Sequence, residues 1–299
     1  MKRILLFAIT NIAILLMLVI VFNVICALLG VDGRAWLSEE GLDYTVLTVY
    51  ALVFGMGGAL ISLLMSKPIA KWTTRAQTID GTEGAAERWL VDTVAQLAER
   101  ANVKMPEVAI YPGAANAFAT GAFRNHALVA VSTEIMEKMT REELRAVLGH
   151  EMSHVANGDM VTMTLVQGVL NACVLFLSRA VAFAVENAVS GKGDRRRSGS
   201  LIYYLVSIVL QLLLGMLASI IVCAYSRRRE YAADSGSAKL LGTPTAMIAA
   251  LRRLGNLEAG VLPGSLRAMG VAARPRTSLF STHPPLEARI EALQNFVPS

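Results

Sequence analysis

Charge is scarce in this chain. Asp, Glu, Lys and Arg make up 17% of its 299 residues, against 54% hydrophobic residues and a mean hydropathy of +0.50. That balance excludes the two soluble domains that length alone would allow, and it points to a membrane protein. Cysteine is nearly absent too. Cys26, Cys173 and Cys223 fall inside apolar runs with no C-x-x-C spacing, which excludes a disulfide framework and leaves packed thiols. There is no G-x-x-x-x-G-K-[ST], so no ATP-binding P-loop is built in; Lys192 between Gly191 and Gly193 is not enough. No internal repeat or low-complexity tract occurs. The net charge of +5 is modest, and the basic residues cluster beside apolar segments, which suits lipid headgroups better than nucleic acid.

Four apolar stretches account for the hydropathy. Residues 4–29 follow Lys2 and Arg3 and have Asn11 and Asn23 as their strongly polar interruptions, so they read as a retained anchor rather than a cleaved signal peptide. Residues 45–65 form a second span, with Gly55, Gly57 and Gly58 allowing close helix contact, and Lys67, Lys71 and Arg75 follow at once. Basic residues at both ends of this hairpin place them in the cytoplasm. Residues 160–178, continuing to 189 past Arg179 and Glu186, and residues 201–225 are the third and fourth segments. If both span, Lys192 and Arg195–Arg197 in the loop 190–200 lie outside, against the positive-inside preference. A hairpin that inserts only in part, or extends beyond the bilayer, removes that conflict.

The polar remainder carries the chemistry. His150, Glu151 and His154 form H-E-x-x-H within residues 141–159. On a helix the two imidazoles lie one above the other and can reach one zinc ion, with Glu151 beside the position where water would bind. A helix is predicted independently: Thr140 and Glu143 make a capping box, Leu144, Val147 and Leu148 an apolar face, and Asn157-Gly158 a stop. Helices are also predicted over 83–101, 246–254 and 286–296, and strands over 108–111 and 127–131. Between those strands, residues 115–121 admit two readings: an ordinary hairpin strand, or an edge strand whose Asn116, Ala117 and Phe118 pair with substrate backbone. His126 reads as a turn residue, and residues 260–277 as loop.

Two histidines do not complete a catalytic zinc site. The H-E-x-x-H-x-x-G-x-x-H layout is excluded by Asn157 and Met160. The remaining solution is a glutamate from a second helix. Glu230 in R-E-Y-A-A-D fits best, with Asp234 one turn on to accept the free N–H of a ligand histidine; the competing reading is a solvated acidic face beside Arg227–Arg229. Asp159 and Glu186 are the rival carboxylates and are expected to tolerate amide replacement. His283, before two prolines, reads either as a donor to a developing oxyanion or as a helix-capping histidine.

G-H-E-M-S-H-V-A-N-G-D-M, S-R-R-R-E-Y-A-A-D, A-N-A-F-A-T-G and S-T-H-P-P-L-E-A-R-I, in this order along the whole chain, resemble the HtpX family of bacterial membrane metalloproteases. That family is more distantly related to the CAAX prenyl endopeptidases. The resemblance implies His150, His154 and Glu230 as ligands of one Zn2+ per chain, Glu151 as the catalytic base and Asp234 behind the ligands. It also implies ATP-independent proteolysis of misfolded membrane proteins, in quality control and stress response, at the bacterial inner membrane with the active site facing the cytoplasm.

The expected fold is mainly α, with two transmembrane hairpins and an α+β zincin-like domain with a small sheet. Residues 1–66 form the first hairpin, 67–158 the first part of the catalytic domain, 159–225 the second hairpin and 226–299 the second part. Two other functions fit less of the sequence. A prenyl-protein processing protease would enclose a chamber among more spans. A zinc-binding sensor or scaffold without turnover has no use for Glu151.

Overall fold

Apolar runs become helices, and the stretch between the second and third runs builds a small sheet. The computed structural model describes residues 2–30, 37–38, 41–190, 201–257 and 279–296. In chain order these form α1 (Lys2–Leu29), the two-residue strands β1 (Leu37–Ser38) and β2 (Gly41–Leu42), α2 (Tyr44–Leu64), α3 (Ser66–Thr74), β3 (Gln77–Ile79), α4 (Ala85–Arg100), β4 (Glu107–Tyr111), β5 (Ala117–Thr120) and a 3-10 turn at Arg124–His126. There follow β6 (Leu128–Ser132), α5 (Thr133–Lys138), α6 (Arg141–Asn157), α7 (Asp159–Ser190), α8 (Leu201–Leu241), α9 (Thr245–Asn256) and α10 (Leu286–Gln294). The basic loop containing Lys192 and Arg195–Arg197 and the Gly-, Pro- and Arg-rich stretch 260–277 lie outside the described residues.

The chain divides into two units. One comprises Met1–Ser62 and Thr164–Ile221, the other Leu63–Met163 and Val222–Ser299. In the first, Gly55 of α2 faces Ala172 of α7 so closely that a Cβ would lie 2.4 Å from the Ala172 backbone nitrogen, and Gly57 faces Leu18 of α1. Gly58 meets nothing, so two of the three glycines serve helix contact. Tyr50 of α2 stacks beneath Arg179, whose guanidinium also donates to the Tyr50 hydroxyl at 3.0 Å. Among the described residues three helices are long and apolar enough to cross a membrane, at Tyr44–Leu64, Asp159–Val189 and Leu201–Leu241, and Leu16–Leu29 of α1 is a shorter apolar stretch. Exposed Leu205, Ile208, Leu212 and Leu217 on α8 are what a lipid-facing surface requires.

α8 runs on past Ser226–Arg229, where the fourth apolar run ends. It continues as one helix to Leu241, because nothing between Tyr225 and Leu241 forces a break: Gly236 is its lone weak point, and Gly242 with φ 77° and Pro244 provide the actual stop. The sequence reading also passed over α3, β3 and α5, all short.

In the second unit the sheet has the order β3-β4-β6-β5. β4 and β6 run parallel, while β3 and β5 pair antiparallel with β4 and β6 respectively, which leaves β5 at an edge. Alternation sends Val108, Val129 and Val131 into the main core with Leu90, Val94 and Leu97 of α4, Leu144, Leu148 and Met152 of α6, and Met247 and Leu251 of α9. The opposite face carries Ala109, Tyr111, Phe118, Leu128 and Ala130 against Ala70 of α3. Both faces are covered, so the sheet is a rigid floor for α6.

Candidate metal centre

α6 is defined at both ends by its own sequence. The Thr140 hydroxyl accepts from the Glu143 amide while the Glu143 carboxylate accepts from the Thr140 amide, and Gly158 ends the helix in the left-handed region at φ 66°. From Ala146 to Val155 every residue is buried. The helix is therefore held on all sides, and the rings of His150 and His154 stand one turn apart with centroids 4.7 Å from each other.

The second half of α8 lies along α6. Small residues set the approach: a Cβ on Gly149 would meet Ser237 Oγ at 2.8 Å, and one on Gly236 would meet Ser153 Oγ at 2.4 Å. Ser237 Oγ donates to the Ala146 carbonyl at 2.7 Å, locking the register between the helices. Glu230, Asp234 and Ser237 then share the face turned to α6.

Three side chains able to ligate a metal converge there. His150 Nε2 and His154 Nε2 are 3.1 Å apart, Glu230 Oε1 is 3.4 Å from His154 Nε2, and Glu230 Oε2 is 3.5 Å from His150 Nε2. A tetrahedral zinc with bonds of about 2.0–2.1 Å has ligand-to-ligand edges of about 3.3 Å. Among the described residues this is the one group of three such side chains within reach of a single ion.

Behind each histidine stands an aspartate, and behind each aspartate an arginine. Asp234 Oδ1 is 2.9 Å from His150 Nδ1, and Arg289 of α10 grips Asp234 with Nε at 2.7 Å and a terminal nitrogen at 2.6 Å. Asp159 Oδ2 is 2.6 Å from His154 Nδ1, and Arg229 Nε forms an ion pair with Asp159 Oδ1 at 3.0 Å without hydrogen-bond alignment, unlike the Arg289 fork. With both Nδ1 atoms committed to carboxylates, both Nε2 atoms face the same point. The guanidiniums offset the two aspartates, which leaves the charges of Glu230 and Glu151 for a cation of two positive charges. The residues present fit a divalent metal.

Electrostatics agree with that. Burial works against a charged His150, yet hydrogen bonds to Asp234 and Glu230 outweigh it and raise the pKa above the ordinary histidine value. His154, opposed by the same burial, is raised to about 10 by Asp159 and Glu230. Burial pushes the Glu151 carboxyl up, against the pull of the histidines and the Ala119 backbone amide. Glu151 Oε1 has no hydrogen-bond partner among the described residues.

His283 reaches the site through the loop before α10. Arg227 holds that loop by donating to the carbonyls of Leu279 and Ser281 at 3.2 and 2.7 Å. The buried imidazole places Nδ1 2.8 Å from Glu230 Oε2 without a hydrogen bond between them.

Residues 85–297 match the family model described as Peptidase family M48. The chain belongs to peptidase family M48. It is 53% identical over 295 residues to a protease HtpX homolog of Verminephrobacter eiseniae and 54% identical over 296 residues to one of Albidiferax ferrireducens, covering 99% of each chain in both cases. The crystal structure of S. mikatae Ste24p aligns with a TM-score of 0.58 at 20% identity, over 95% of this chain and 65% of that one, a likeness that bears on fold alone. This M48 protein is thus a bacterial membrane metallopeptidase, mainly helical with a small mixed sheet.

The structure brings His150, Glu151, His154, Glu230, Asp234 and His283 together. It treats β5 differently from the sequence reading. The Asn116 amide donates to Ser132 Oγ at 3.0 Å and its carbonyl accepts from the Ser132 amide at 2.9 Å, so its backbone is spent inside the sheet. Phe118 is buried on the far face against Tyr111. The Asn116 amide and the Phe118 side chain are thus not turned to a substrate, while the Ala117 amide donates to Asn116 Oδ1 at 2.9 Å and the Ala119 amide faces Glu151. His126 closes the 3-10 turn.

Sequence reasoning missed Arg289 and did not connect Asp159 to His154. Asp159, read there as a rival carboxylate, lies 2.6 Å from His154 Nδ1. Its signal was its place just past the glycine stop, where the chain turns back toward the second histidine. Arg289 has no comparable signal, since α10 must be folded against α8 before it meets Asp234.

Proposed function

We propose that the chain is a zinc endopeptidase of the bacterial inner membrane, with its active site facing the cytoplasm. It cleaves misfolded or damaged membrane proteins without ATP, in membrane quality control and stress response. The observation that carries the catalytic part is the convergence of His150, His154 and Glu230 beside the unpartnered Glu151 Oε1. Basic Lys2, Arg3, Lys67, Lys71 and Arg75 flanking the first hairpin support the orientation, and the relatives named as proteases support the activity.

His150, His154 and Glu230 would hold one zinc, which when bound supplies Lewis acidity toward the scissile carbonyl and acidifies the attacking water. Glu151 Oε1 accepts a proton from that water, and the raised carboxyl pKa suits it to pass the proton on to the departing amine. His283, buried and with Nε2 uncommitted among the described residues, donates to the oxygen on which negative charge develops. The edge strand β5, beside Glu151, receives the substrate as an added strand and aligns the bond to be cut.

Zinc content and casein digestion without ATP, measured on detergent-purified wild type and Glu151→Gln, test this reading. The variant is expected to keep one zinc per chain and to lose about 10²–10⁴-fold in turnover. Turnover within tenfold of wild type would overturn the assignment of Glu151. Zinc binding with no digestion by wild type would favour a sensor instead.

A further inference from the structure

Resting on the zinc-site reading above, we infer that Asp159, held by Arg229, is a positioning residue for the metal ligand His154. Asp159 is the first residue of α7, and an acidic residue at a helix start has an ordinary explanation in the helix dipole. Its geometry says otherwise. Both carboxylate oxygens turn away from α7: Oδ2 lies 2.6 Å from His154 Nδ1 and Oδ1 3.0 Å from Arg229 Nε. The α7 amide of Thr162 is served by the Gly158 carbonyl.

Three features make this a built arrangement. Asp159 is 6% exposed, so its carboxylate would not be buried there without partners. Gly158 in the left-handed region reverses the chain within one residue, which brings Asp159 back to a histidine five positions earlier. Arg229 precedes the ligand Glu230, so one short segment of α8 supplies both a ligand and the clamp on another ligand's orienting acid.

The pattern mirrors His150–Asp234–Arg289. An imidazole free to rotate about its side-chain bonds presents Nε2 to the ligand trio only part of the time. Fixing Nδ1 from behind removes that freedom and selects the tautomer with Nε2 unprotonated. The sequence pattern S-R-R-R-E therefore contributes internal scaffolding as well as positive charge at a membrane end.

The test uses the full-length chain in detergent, with zinc affinity by chelator competition and the visible absorption of the Co2+-substituted protein. Asp159→Asn keeps size and helix-start chemistry while removing the charge that fixes His154. It is expected to weaken zinc by about 10–100-fold and to change the cobalt spectrum. Arg229→Gln should weaken zinc less, and the double variant no more than Asp159→Asn alone, because both act through one ring. Zinc affinity within twofold of wild type and an unchanged cobalt spectrum in Asp159→Asn would overturn the inference while leaving the peptidase reading intact. A wild-type chain that takes up no zinc would sink both. If Asp159→Asn does not survive purification, Arg229→Gln decides: a several-fold loss supports the clamp, and wild-type affinity rejects it.

Discussion

Arg289 and Asp234 form a bidentate pair, with nitrogen-to-oxygen distances of 2.6 and 2.7 Å, at a depth where Arg289 is 1% exposed. The pair joins α10 to the back of His150, one of the three candidate ligands. Removing the guanidinium would leave buried Asp234 with His150 as its remaining charged partner and strip Oδ2 of its donor, beside a Glu230 whose Oε2 lies 3.5 Å from Arg289. Arg289→Met is therefore expected to cost about 3–5 kcal/mol of stability. Arg289→Lys restores charge without the fork and should fold, yet bind zinc about 10-fold or more weakly. Thermal unfolding in detergent and chelator competition check the two expectations separately.

The ligand trio makes a graded prediction. His150→Ala and His154→Ala should lose both zinc and proteolysis, because two donors do not hold a catalytic zinc. Glu230→Gln keeps the shape of the third ligand but removes its charge, so zinc should leave on challenge with a mild chelator. Stoichiometric zinc retained by any of these purified variants after the challenge would show that the residue is no ligand.

Helix approach can be tested without touching a ligand. Gly236→Ala places a methyl where Ser153 Oγ and Cβ lie 2.4 and 2.8 Å away, so α8 must shift off α6. A loss of about 1–3 kcal/mol is expected, with weaker zinc binding because Glu230 rides on the same helix. Adding Ser153→Gly reopens the space and should recover most of both quantities. No recovery in the double variant would mean that the spacing is set elsewhere.

Zinc and protons compete for the same nitrogens. In the metal-free chain the pKa of His154 is raised to about 10 and that of His150 is raised as well, so near neutral pH zinc must displace protons held at the site. Apparent zinc affinity is expected to rise with pH across the neutral range and to flatten once the pH passes the metal-free pKa of His154. Calorimetric titration in buffers of different ionisation enthalpy should show about one proton or more released per zinc. Uptake of protons on binding would contradict this sign.

Much of the chemistry was legible before any folding was considered. H-E-x-x-H is a spacing that only a helix turns into a site, and Thr140, Glu143 and Gly158 define that helix from within twenty residues of sequence. Local capping and periodicity are short-range physics, so they can be read along the chain. The apolar runs were legible for the same reason, since hydropathy needs no partner.

What the sequence could not decide is which groups meet across the fold. Asp159 and Asp234 look alike as acidic residues near basic ones, yet each sits behind a different histidine. Which carboxylate supplies a ligand and which an orienting bond depends on the close crossing of α6 and α8 at Gly149, Ser153, Gly236 and Ser237. Arg289 becomes part of the centre only because α10 packs its Leu293 into the core beneath the helices. β5 likewise reads as a strand in sequence, but which of its backbone groups face outward follows from the pairing of Asn116 with Ser132. Residue types and spacings determine what chemistry is available; the burial of opposite charges by long-range packing determines which of them share it.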